Sequence, residues 1–434
     1  MLKLYHNDRK KQMKIHIDID SFFVSAARIV EPSLEGKAVA IGGRSDTQIF
    51  TKDAKKQSVN LENSGSFVST FYKTYEKSDD IDAFKDADGR VRGILTTSSY
   101  EARSYGVKTA MSIKEALMLC PHLIIKAPNM SLYQKLSHEL HEFLQSRIPL
   151  IEQASIDEFY GDLSGWIRDD EVEQFIDNLR HEIKRELKLP VSIGASKTRF
   201  IAKLATTEAK PFECKTIYEK DVDSFIQNIP VGEFAGIGKS MKAKLKSAQI
   251  HTLGELKNRR GTLESWGPYA AELYKRVCGI SDESIKTTHR RKSIGISRTF
   301  DPIFDRDELK RRVHVLARHL SFAILQLDVI PTVFHLSISY EMRQSSHKNI
   351  SLAEVFTEKK FDSLCLSLFN EADTQRRLHV IRLSINCSSF TRDSKKELSL
   401  IGFADEQKMK RLSQETHKLR QKYGLDAIKW GSEL

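Results

Sequence analysis

Apolar and polar residues alternate along the segment KIHIDID at positions 14–20. Every second residue from Ile15 onward is isoleucine, and the residues between them are His16, Asp18 and Asp20. A period of two is typical of a β-strand with one apolar and one polar face. Strand interiors usually avoid acidic residues, so the two carboxylates on this strand require an explanation.

The rest of the first half continues with strand and helix patterns. ASIDEFYGDL (154–163) is an apolar strand pattern that carries an adjacent acidic pair, and VSIGAS (191–196) is a further strand. Helical patterns occupy 112–119, 130–147, 169–188 and the segment KTRFIAKLATTEAK that Pro211 ends. Strands separated by helices in this way predict an α+β sheet domain.

Residues 44–92 interrupt this pattern. They contain nine basic and nine acidic residues, with serine and glycine scattered among them. Such a composition buries little apolar surface, and a long loop of this kind is uncommon inside a compact domain. We therefore predict a solvated insertion without a net charge.

The second half predicts two further units. A lysine-rich helical region begins near residue 221, and the basic link KTTHRRK (286–292) follows it. The next elements are predicted as strand (293–300), helix (307–327), strand (332–342), strand (about 350–357), helix (360–370) and strand (378–390). This βαββαβ order predicts a ferredoxin-like unit. The long helix shows one apolar stripe, formed by Leu309, Val313, Leu316, Leu320, Ile324 and Leu327.

Charge and cysteine content narrow the classes of function. Lysine and arginine number 69 against 58 aspartates and glutamates, and this basic excess favours a polyanionic partner, above all nucleic acid. Five widely spaced cysteines form no CxxC pair, which argues against a disulfide framework or a zinc cluster and predicts a cytoplasmic protein. No uninterrupted apolar run is long enough for a membrane span.

Four carboxylates are the candidate chemistry: Asp18 and Asp20 on the first strand, and Asp157 and Glu158 on a second. Clustered and partly buried carboxylates repel one another unless a cation neutralises them. Mg²⁺ prefers oxygen ligands and bridges carboxylates to substrate phosphates. Two such ions can activate an attacking oxygen and stabilise a leaving one.

Three segments, IHIDIDSFF, SSYEARSYGVKTAMS and ASIDEFYGDLS, resemble the Y-family translesion DNA polymerases, with the bacterial polymerase IV group the most similar. The resemblance implies an α+β right-hand polymerase with a βαββαβ palm, small fingers, a helical thumb and a ferredoxin-like little finger. The implied boundaries are 1–21 and 130–220 for the palm, 22–129 for the fingers with the insertion 44–92, 221–289 for the thumb, 290–395 for the little finger and 396–434 for a polar tail with one helix.

The same resemblance implies roles for individual residues. Asp18, Asp157 and Glu158 would be the catalytic metal ligands, helped by the backbone carbonyl of Ile19. They would hold two Mg²⁺ ions, for which Mn²⁺ can substitute. Asp20 and Ser155 would support these ligands without binding metal.

Nucleotide and DNA contacts are implied as well. Phe23 would be the steric gate that excludes a 2′-hydroxyl, and Tyr100, Arg103 and Lys210 would bind the triphosphate. In the thumb, GIGKSMKAKLK resembles a helix-hairpin-helix. The expected DNA contacts there, together with one on the polar face of the last strand, are Gly236, Gly238, Lys239, Lys242 and Arg382.

The implied activity is template-directed DNA synthesis in damage bypass, with low processivity and no proofreading. The partners would be primer–template DNA and deoxynucleoside triphosphates. The protein itself would be a monomer in the bacterial cytoplasm, associated with the nucleoid when it is engaged on DNA. KELSLIGF suggests a sliding-clamp peptide at 397–403, although Glu397 and Ile401 replace its usual glutamine and aromatic. A nucleotidyl cyclase with the same palm, or a non-catalytic DNA-binding relative, remains as the alternative.

Overall fold

A computed structural model describes residues 13–45, 47–51, 58–59, 71–72, 84–85, 89–281, 283–287, 291–352, 356–391 and 403–433. The strands are β1 Lys14–Ile19, β2 Val39–Gly43, β3 Ser58–Val59, β4 Phe71–Tyr72, β5 Ile94–Ser98, β6 Ile124–Lys126, β7 Leu150–Gln153, β8 Glu158–Asp162, β9 Val191–Ser196, β10 Cys214–Ile217, β11 Ser293–Ile303, β12 Ile330–Tyr340, β13 Ser345–Ser351 and β14 Val380–Thr391.

The α-helices follow the same chain order. They are α1 Phe22–Val30, α2 Tyr100–Ser104, α3 Ile113–Leu119, α4 Met130–Gln145, α5 Val172–Leu187, α6 Arg199–Ala209, α7 Val222–Ile226, α8 Lys239–Ser247, α9 Leu253–Lys257, α10 Arg260–Ser265, α11 Pro268–Val277, α12 Arg306–Leu327, α13 Glu358–Ala372 and α14 Phe403–Tyr423. None of the helices in the described ranges has the length and apolar composition needed to cross a membrane.

The palm is a five-stranded sheet in the order β10-β9-β1-β8-β7. Its elements β1, α4, β7, β8, α5 and β9 follow the predicted βαββαβ order, and β10 adds a parallel edge strand. The isoleucines of β1 pack with α4 and α5, while α6 covers the opposite face. A Cβ at Gly194 would lie 2.1 Å from the Ala202 carbonyl oxygen, so glycine is what lets α6 approach β9 this closely. Both faces of β1 are therefore buried.

The fingers are built on the three-stranded sheet β5-β2-β6, with α1, α2 and α3 around it. Most of the insertion lies outside the described residues. Most residues of its described ends are exposed, but three apolar side chains, Ile49, Phe50 and Phe84, are buried. The prediction of a solvated insertion therefore does not hold for these three apolar residues, whose packing partners a count of charges does not reveal.

The thumb consists of α7 to α11 around a core that also includes Ile201 and Leu204 of α6. The connection from the thumb to the next unit is attached to the palm. Lys14 donates a hydrogen bond to the Glu283 carbonyl oxygen at 2.8 Å, and the Lys286 amide donates to Glu152 at 2.7 Å.

The little finger is a four-stranded sheet covered on one face by α12 and α13. The βαββαβ order of its elements is confirmed, but its strand order, β11-β14-β12-β13, has the second and fourth strands of the unit in the centre. In the βαββαβ unit of the palm, the first and third strands, β1 and β8, are the central ones. The strand predicted at about 350–357 is β13, at 345–351. It is an edge strand with the polar sequence SSHKNIS, so the prediction placed it several residues too late.

The C-terminal segment, which consists of α14 and the residues that follow it to Glu433, packs on the little finger. Arg318 of α12 is 2% exposed and bonds Asp426, Glu433 and the Leu425 carbonyl. Arg420 of α14 likewise reaches across to α13 by pairing with buried Glu358. The single apolar stripe predicted for α12 was therefore incomplete, since the C-terminal segment covers a second side of that helix.

Candidate active site

The three candidate metal ligands meet where β1 and β8 pair. Asp18 lies directly opposite Glu158 in the antiparallel register, and directly opposite residues have Cβ atoms about 4.5–5.5 Å apart. The Ile19 amide donates to the Asp157 carbonyl oxygen at 3.0 Å. Residues more than 130 positions apart in the chain are thus joined at one edge of the palm.

Asp18 is a buried carboxylate that faces a lysine. Its Oδ1 lies 2.5 Å from Nζ of Lys210, which follows the end of α6. Burial raises the pKa of Asp18 to about 7, although the charge of Lys210 opposes that change. Lys210, predicted as a triphosphate contact, therefore lies beside a predicted metal ligand.

Glu158 is held by a second lysine. Lys203 of α6 donates to both carboxylate oxygens, at 2.7 and 2.6 Å, and His16 Nε2 lies 3.8 Å from Oε2. Burial alone would raise the pKa of Glu158, but His16 and Lys203 lower it to about 2. Burial also lowers the pKa of His16 to about 4, so Lys203 is the charged neighbour of Glu158 at neutral pH.

Ser155 organises the turn that precedes β8. Its hydroxyl donates to Asp157 Oδ1 at 2.5 Å and accepts the amides of Asp157 and Glu158 at 3.2 and 3.0 Å. The pKa of Asp157 is raised by burial, with the Ser155 hydrogen bond opposing the shift. This geometry is what a supporting residue for the acidic pair requires.

Asp20 is saturated with hydrogen bonds. It accepts from the Ser192 hydroxyl, the Phe212 amide and the Tyr100 hydroxyl, at distances from 2.8 to 3.1 Å. Burial nevertheless raises its pKa. A carboxylate with this many donors joins the palm to the fingers and has little capacity left for a metal, in agreement with the supporting role expected for it.

The candidate nucleotide residues lie along the border between palm and fingers. The ring of Phe23 stacks on Tyr133 of α4, with centroids 4.2 Å apart and planes 16° from parallel. The Arg103 guanidinium lies 4.7 Å from the Tyr100 ring centre, so these two residues share a helix face as their spacing predicts. Arg103 also donates to the Ser98 carbonyl at 3.1 Å.

The donor set suits a hard divalent cation. Within the described ranges no three His, Cys, Asp or Glu side chains form a ready metal cluster, and Asp18 and Glu158 are paired with lysines instead. The buried carboxylates at the β1–β8 edge nevertheless fit Mg²⁺, because oxygen donors are what it prefers. Desolvation raises the pKa of Asp18 and Asp157, so each would gain from a nearby cation.

The candidate DNA contacts lie on the thumb and the little finger, outside this cluster. Gly236 has a φ of +99°, a conformation that favours glycine, and Gly238 is the residue before α8. Lys239 and Lys242 are exposed on the same helix. Arg382 is exposed on β14, on the sheet face opposite the helices, and donates to the Ser297 hydroxyl at 3.2 Å.

Comparison with known proteins decides the family. Residues 17–207 match the model of the impB/mucB/samB family, and residues 291–400 match the model of its C-terminal domain. The chain belongs to this family, the Y-family DNA polymerases. It is therefore a DNA-directed DNA polymerase of the translesion type, and a cyclase or a non-catalytic relative is not favoured. Polymerases of this family generally depend on divalent metal.

Similar proteins cover nearly the whole chain. DNA polymerase IV of Bacillus anthracis is 26% identical over 98% of this chain and 94% of its own length. The enzyme of Lactococcus lactis subsp. cremoris SK11 is 28% identical over 88% of this chain and 95% of its own. A Y-family chimera of Dbh and Dpo4 has a TM-score of 0.70 at 20% identity, covering 88% of this chain and all of its own. An insertion ternary complex of Dbh gives 0.54 at 19% identity over the same coverage.

Four residues at the site were missed by the sequence reasoning: Lys203, His16, Ser192 and Tyr133. Lys203 of α6 lies seven residues before Lys210, which follows the end of that helix, and both lysines reach the acidic cluster. That seven-residue spacing was a usable signal for a shared helix face. His16 alternates with Asp18 on β1 and could have been grouped with it. Ser192 and Tyr133 gave no local signal, because their contacts depend on strand pairing and helix packing.

Proposed function

We propose that this polymerase catalyses nucleotidyl transfer with Asp18, Asp157 and Glu158 as its metal ligands. The observation that supports the proposal most directly is the β1–β8 register, which pairs Asp18 with Glu158. The Ile19 carbonyl is a further candidate ligand at the end of the same strand. Two Mg²⁺ ions, or Mn²⁺ in their place, would supply charge neutralisation and activation of the primer 3′-hydroxyl.

The chain's own residues position the substrate. Lys210 and Arg103 would contact the triphosphate, Tyr100 would donate a hydrogen bond to it, and Phe23 would lie under the deoxyribose. Phosphoryl transfer depends on such positioning and charge stabilisation more than on covalent chemistry. Lys203 and Ser155 would keep Glu158 and Asp157 oriented toward the same point.

DNA would be held by two surfaces. The hairpin at Gly236 and Gly238 offers backbone amides and exposed lysines to a phosphate backbone, without reading sequence. The open face of the little-finger sheet is mostly uncharged. Its members include Ser293, Ser297, Thr299, His335, Ser337, Ser339, His347, Asn349, Ser384 and Asn386, with Arg382 among them. Hydroxyl and amide donors of this kind suit phosphate contacts.

The sliding clamp would be a further partner. The candidate peptide 397–403 lies outside the described residues, apart from the start of α14 at Phe403. We propose that the sliding clamp binds the enzyme through this peptide. The enzyme would be a monomer of low processivity without proofreading, and it would act on chromosomal DNA in the cytoplasm. Loss of clamp-stimulated synthesis in Leu398→Ala with Leu400→Ala, with synthesis without clamp unchanged, would support it.

Primer extension tests the site. With Mg²⁺, a primer–template and all four deoxynucleotides, we expect longer primers from the wild type and from Asp170→Asn, an exposed carboxylate of the palm. Glu158→Gln and Asp157→Ala should not extend, while keeping the wild-type circular dichroism spectrum. Full extension by Asp157→Ala would remove the proposed ligand set, whereas cyclic nucleotide from free triphosphate or shortened primers would indicate another reaction.

A further inference from the structure

A short segment crosses from the fingers to the little finger. The fingers strand β2 ends at Gly43, and the next residues, Arg44, Ser45 and 47–51, follow it directly. Gln48–Phe50 form one turn of 3₁₀ helix. We call Arg44, Ser45 and residues 47–51 the clasp.

The apolar side chains of the clasp are buried in the core of the little finger. Ile49 is 3% exposed and Phe50 is 6% exposed, and both belong to the hydrophobic cluster around α12 and β11. Phe50 meets the Phe300 ring edge-on with centroids 6.1 Å apart. The Arg312 guanidinium lies 4.5 Å from the centre of the Phe50 ring. A segment of the fingers has thus become part of the core of another domain.

Polar contacts surround this apolar centre. They join the clasp to the C-terminal half of β11 and to α12, and they include backbone as well as side-chain groups. The contacts are Arg311 Nη2 to the Phe50 carbonyl at 3.0 Å, the Thr299 amide to Ser45 Oγ at 3.0 Å, and Arg44 Nη2 to Asp301 Oδ1 at 3.9 Å. Arg44 also donates to the Lys85 carbonyl at 2.9 Å, which joins the clasp to the C-terminal part of the same insertion.

We propose that the clasp holds the little finger against the fingers in the DNA-free protein and so positions the little-finger sheet before DNA arrives. Residues 278–292 connect the thumb to the little finger, and domains joined by a linker move relative to each other unless an apolar interface prevents it. Ile49 and Phe50 supply such an interface. A surface positioned in advance binds DNA with a smaller ordering cost.

Cross-linking tests the closed arrangement without DNA. The full-length protein with Ser45→Cys and Thr299→Cys, treated with a short bismaleimide, should cross-link within the chain, as detected by gel mobility and peptide mass. Adding Phe50→Ala should lower the yield strongly, whereas adding Phe304→Ala, an exposed aromatic of the little finger, should not. Ser45→Cys alone controls for the five native cysteines. Equal yields with and without Phe50 would overturn the proposal.

DNA binding supplies the second measurement. Phe50→Ala should enlarge the radius of gyration in small-angle scattering and weaken primer–template binding several-fold, with the single-turnover incorporation rate at saturating DNA unchanged. Because Thr299 lies on the sheet face proposed to hold DNA, the cross-linked protein is compared with the same double-cysteine protein capped by N-ethylmaleimide, and it should bind DNA at least as tightly. Weaker DNA binding by the cross-linked protein would contradict the proposal, even if Phe50→Ala proved unstable. Neither measurement depends on the metal ligands, so failure here leaves the polymerase site untouched.

Discussion

Lys210 places its ammonium nitrogen 2.5 Å from Oδ1 of Asp18, on the carboxylate proposed to bind metal. The ion pair is possible because α6 ends beside the C-terminal end of β1, the central strand of the palm sheet. When nucleotide and metal occupy the site, the proposed roles require Lys210 to turn from Asp18 to the triphosphate. The lysine would therefore have two successive partners, the observed carboxylate in the free protein and the proposed phosphate in the complex.

Lys210→Ala should weaken nucleotide binding. A charge-assisted contact contributes about 1.5–3 kcal/mol, so we expect KM for the incoming deoxynucleotide to rise at least about tenfold. Steady-state incorporation of one nucleotide measures this. Lys197→Ala, which removes a lysine paired with Glu219 elsewhere on the palm, is the control. An unchanged KM in Lys210→Ala would exclude the triphosphate contact.

The raised pKa of Asp18 predicts a pH-dependent stability. Burial lifts this pKa from 3.8 to about 7, so between these values the folded chain binds a proton that the unfolded chain releases. The stability contributed by this proton is present below pH 4 and is lost as the pH rises towards 7. Asp18 therefore lowers the free energy of unfolding of the metal-free protein at neutral pH. The loss is up to about 4 kcal/mol, because each pH unit between the two pKa values corresponds to about 1.36 kcal/mol.

Asp18→Asn should remove that cost. In urea unfolding with a metal chelator we expect the variant to exceed the wild type in free energy of unfolding at pH 8, and the difference to shrink towards pH 5. Asp162→Asn, at the other end of β8, should show no such trend. A difference that does not vary with pH would mean that Asp18 is ionised throughout this range.

Phe23→Ala should admit ribonucleotides. The ring is held by stacking on Tyr133, so removing it opens space next to the proposed sugar position, and we expect the preference for deoxynucleotides to fall by about 10- to 100-fold. The ratio of kcat/KM for dCTP and CTP measures this. Phe22→Leu, which alters a neighbouring core residue, should retain the preference. If stacking on Tyr133 positions the Phe23 ring, the deoxynucleotide preference of Tyr133→Ala should lie between those of Phe23→Ala and Phe22→Leu.

The local patterns could single out the candidate site residues because these residues lie within short, distinctive segments. The alternation in β1 identified the strand, and the adjacent acids of β8 carried their own signal. Strand pairing then brought Asp18 opposite Glu158, as the metal hypothesis requires. The spacing of Lys203 from Lys210 signals a shared face, but it does not indicate which strand that face covers, and the contact of Lys203 with Glu158 joins residues 45 positions apart.

The misplaced parts of the fold share another cause. Periodicity shows which face of an element is apolar, and it does not show what covers the other face. Phe50 looked like one aromatic in a charged insertion, yet it lies in the little-finger core. Arg318 lies outside the predicted apolar stripe of α12, yet it is buried against the C-terminal segment. In both cases a distant segment supplies the partner.

Arg382→Ala should lower the salt dependence of DNA binding. Each phosphate contact contributes about −0.9 to the slope of log K against log salt concentration, so loss of this one contact should reduce the slope by nearly one unit. Fluorescence anisotropy with a primer–template between low and moderate salt measures the slope. Lys348→Ala is the matched control, because Lys348 pairs with Glu371 on the helix side of the same sheet. Equal slopes for Arg382→Ala and the wild type would place DNA elsewhere.

Glu433→Gln should destabilise the little finger. Glu433 pairs with Arg318 at 2.7 Å, and both side chains are about 1% exposed. Removing one partner of a buried ion pair costs about 3–5 kcal/mol. Glu415→Gln, which breaks an exposed pair with Lys418, should cost less than about 1 kcal/mol. Urea unfolding of the full chain compares the two, and equal costs would show that Glu433 is not buried in solution.

The same ion pair makes a C-terminal truncation unsuitable as a test of clamp binding. A truncation that removes residues 425–434 would delete Asp426 and Glu433 and leave Arg318 buried without its carboxylates. We expect such a protein to lose DNA binding through the little finger, whether or not residues 397–403 bind a clamp. Leu400→Ala in the complete chain avoids this confusion: it should reduce clamp-stimulated synthesis while leaving the unfolding midpoint in urea unchanged. A truncated protein as stable as the full chain would show that the C-terminal segment is not part of the little-finger core.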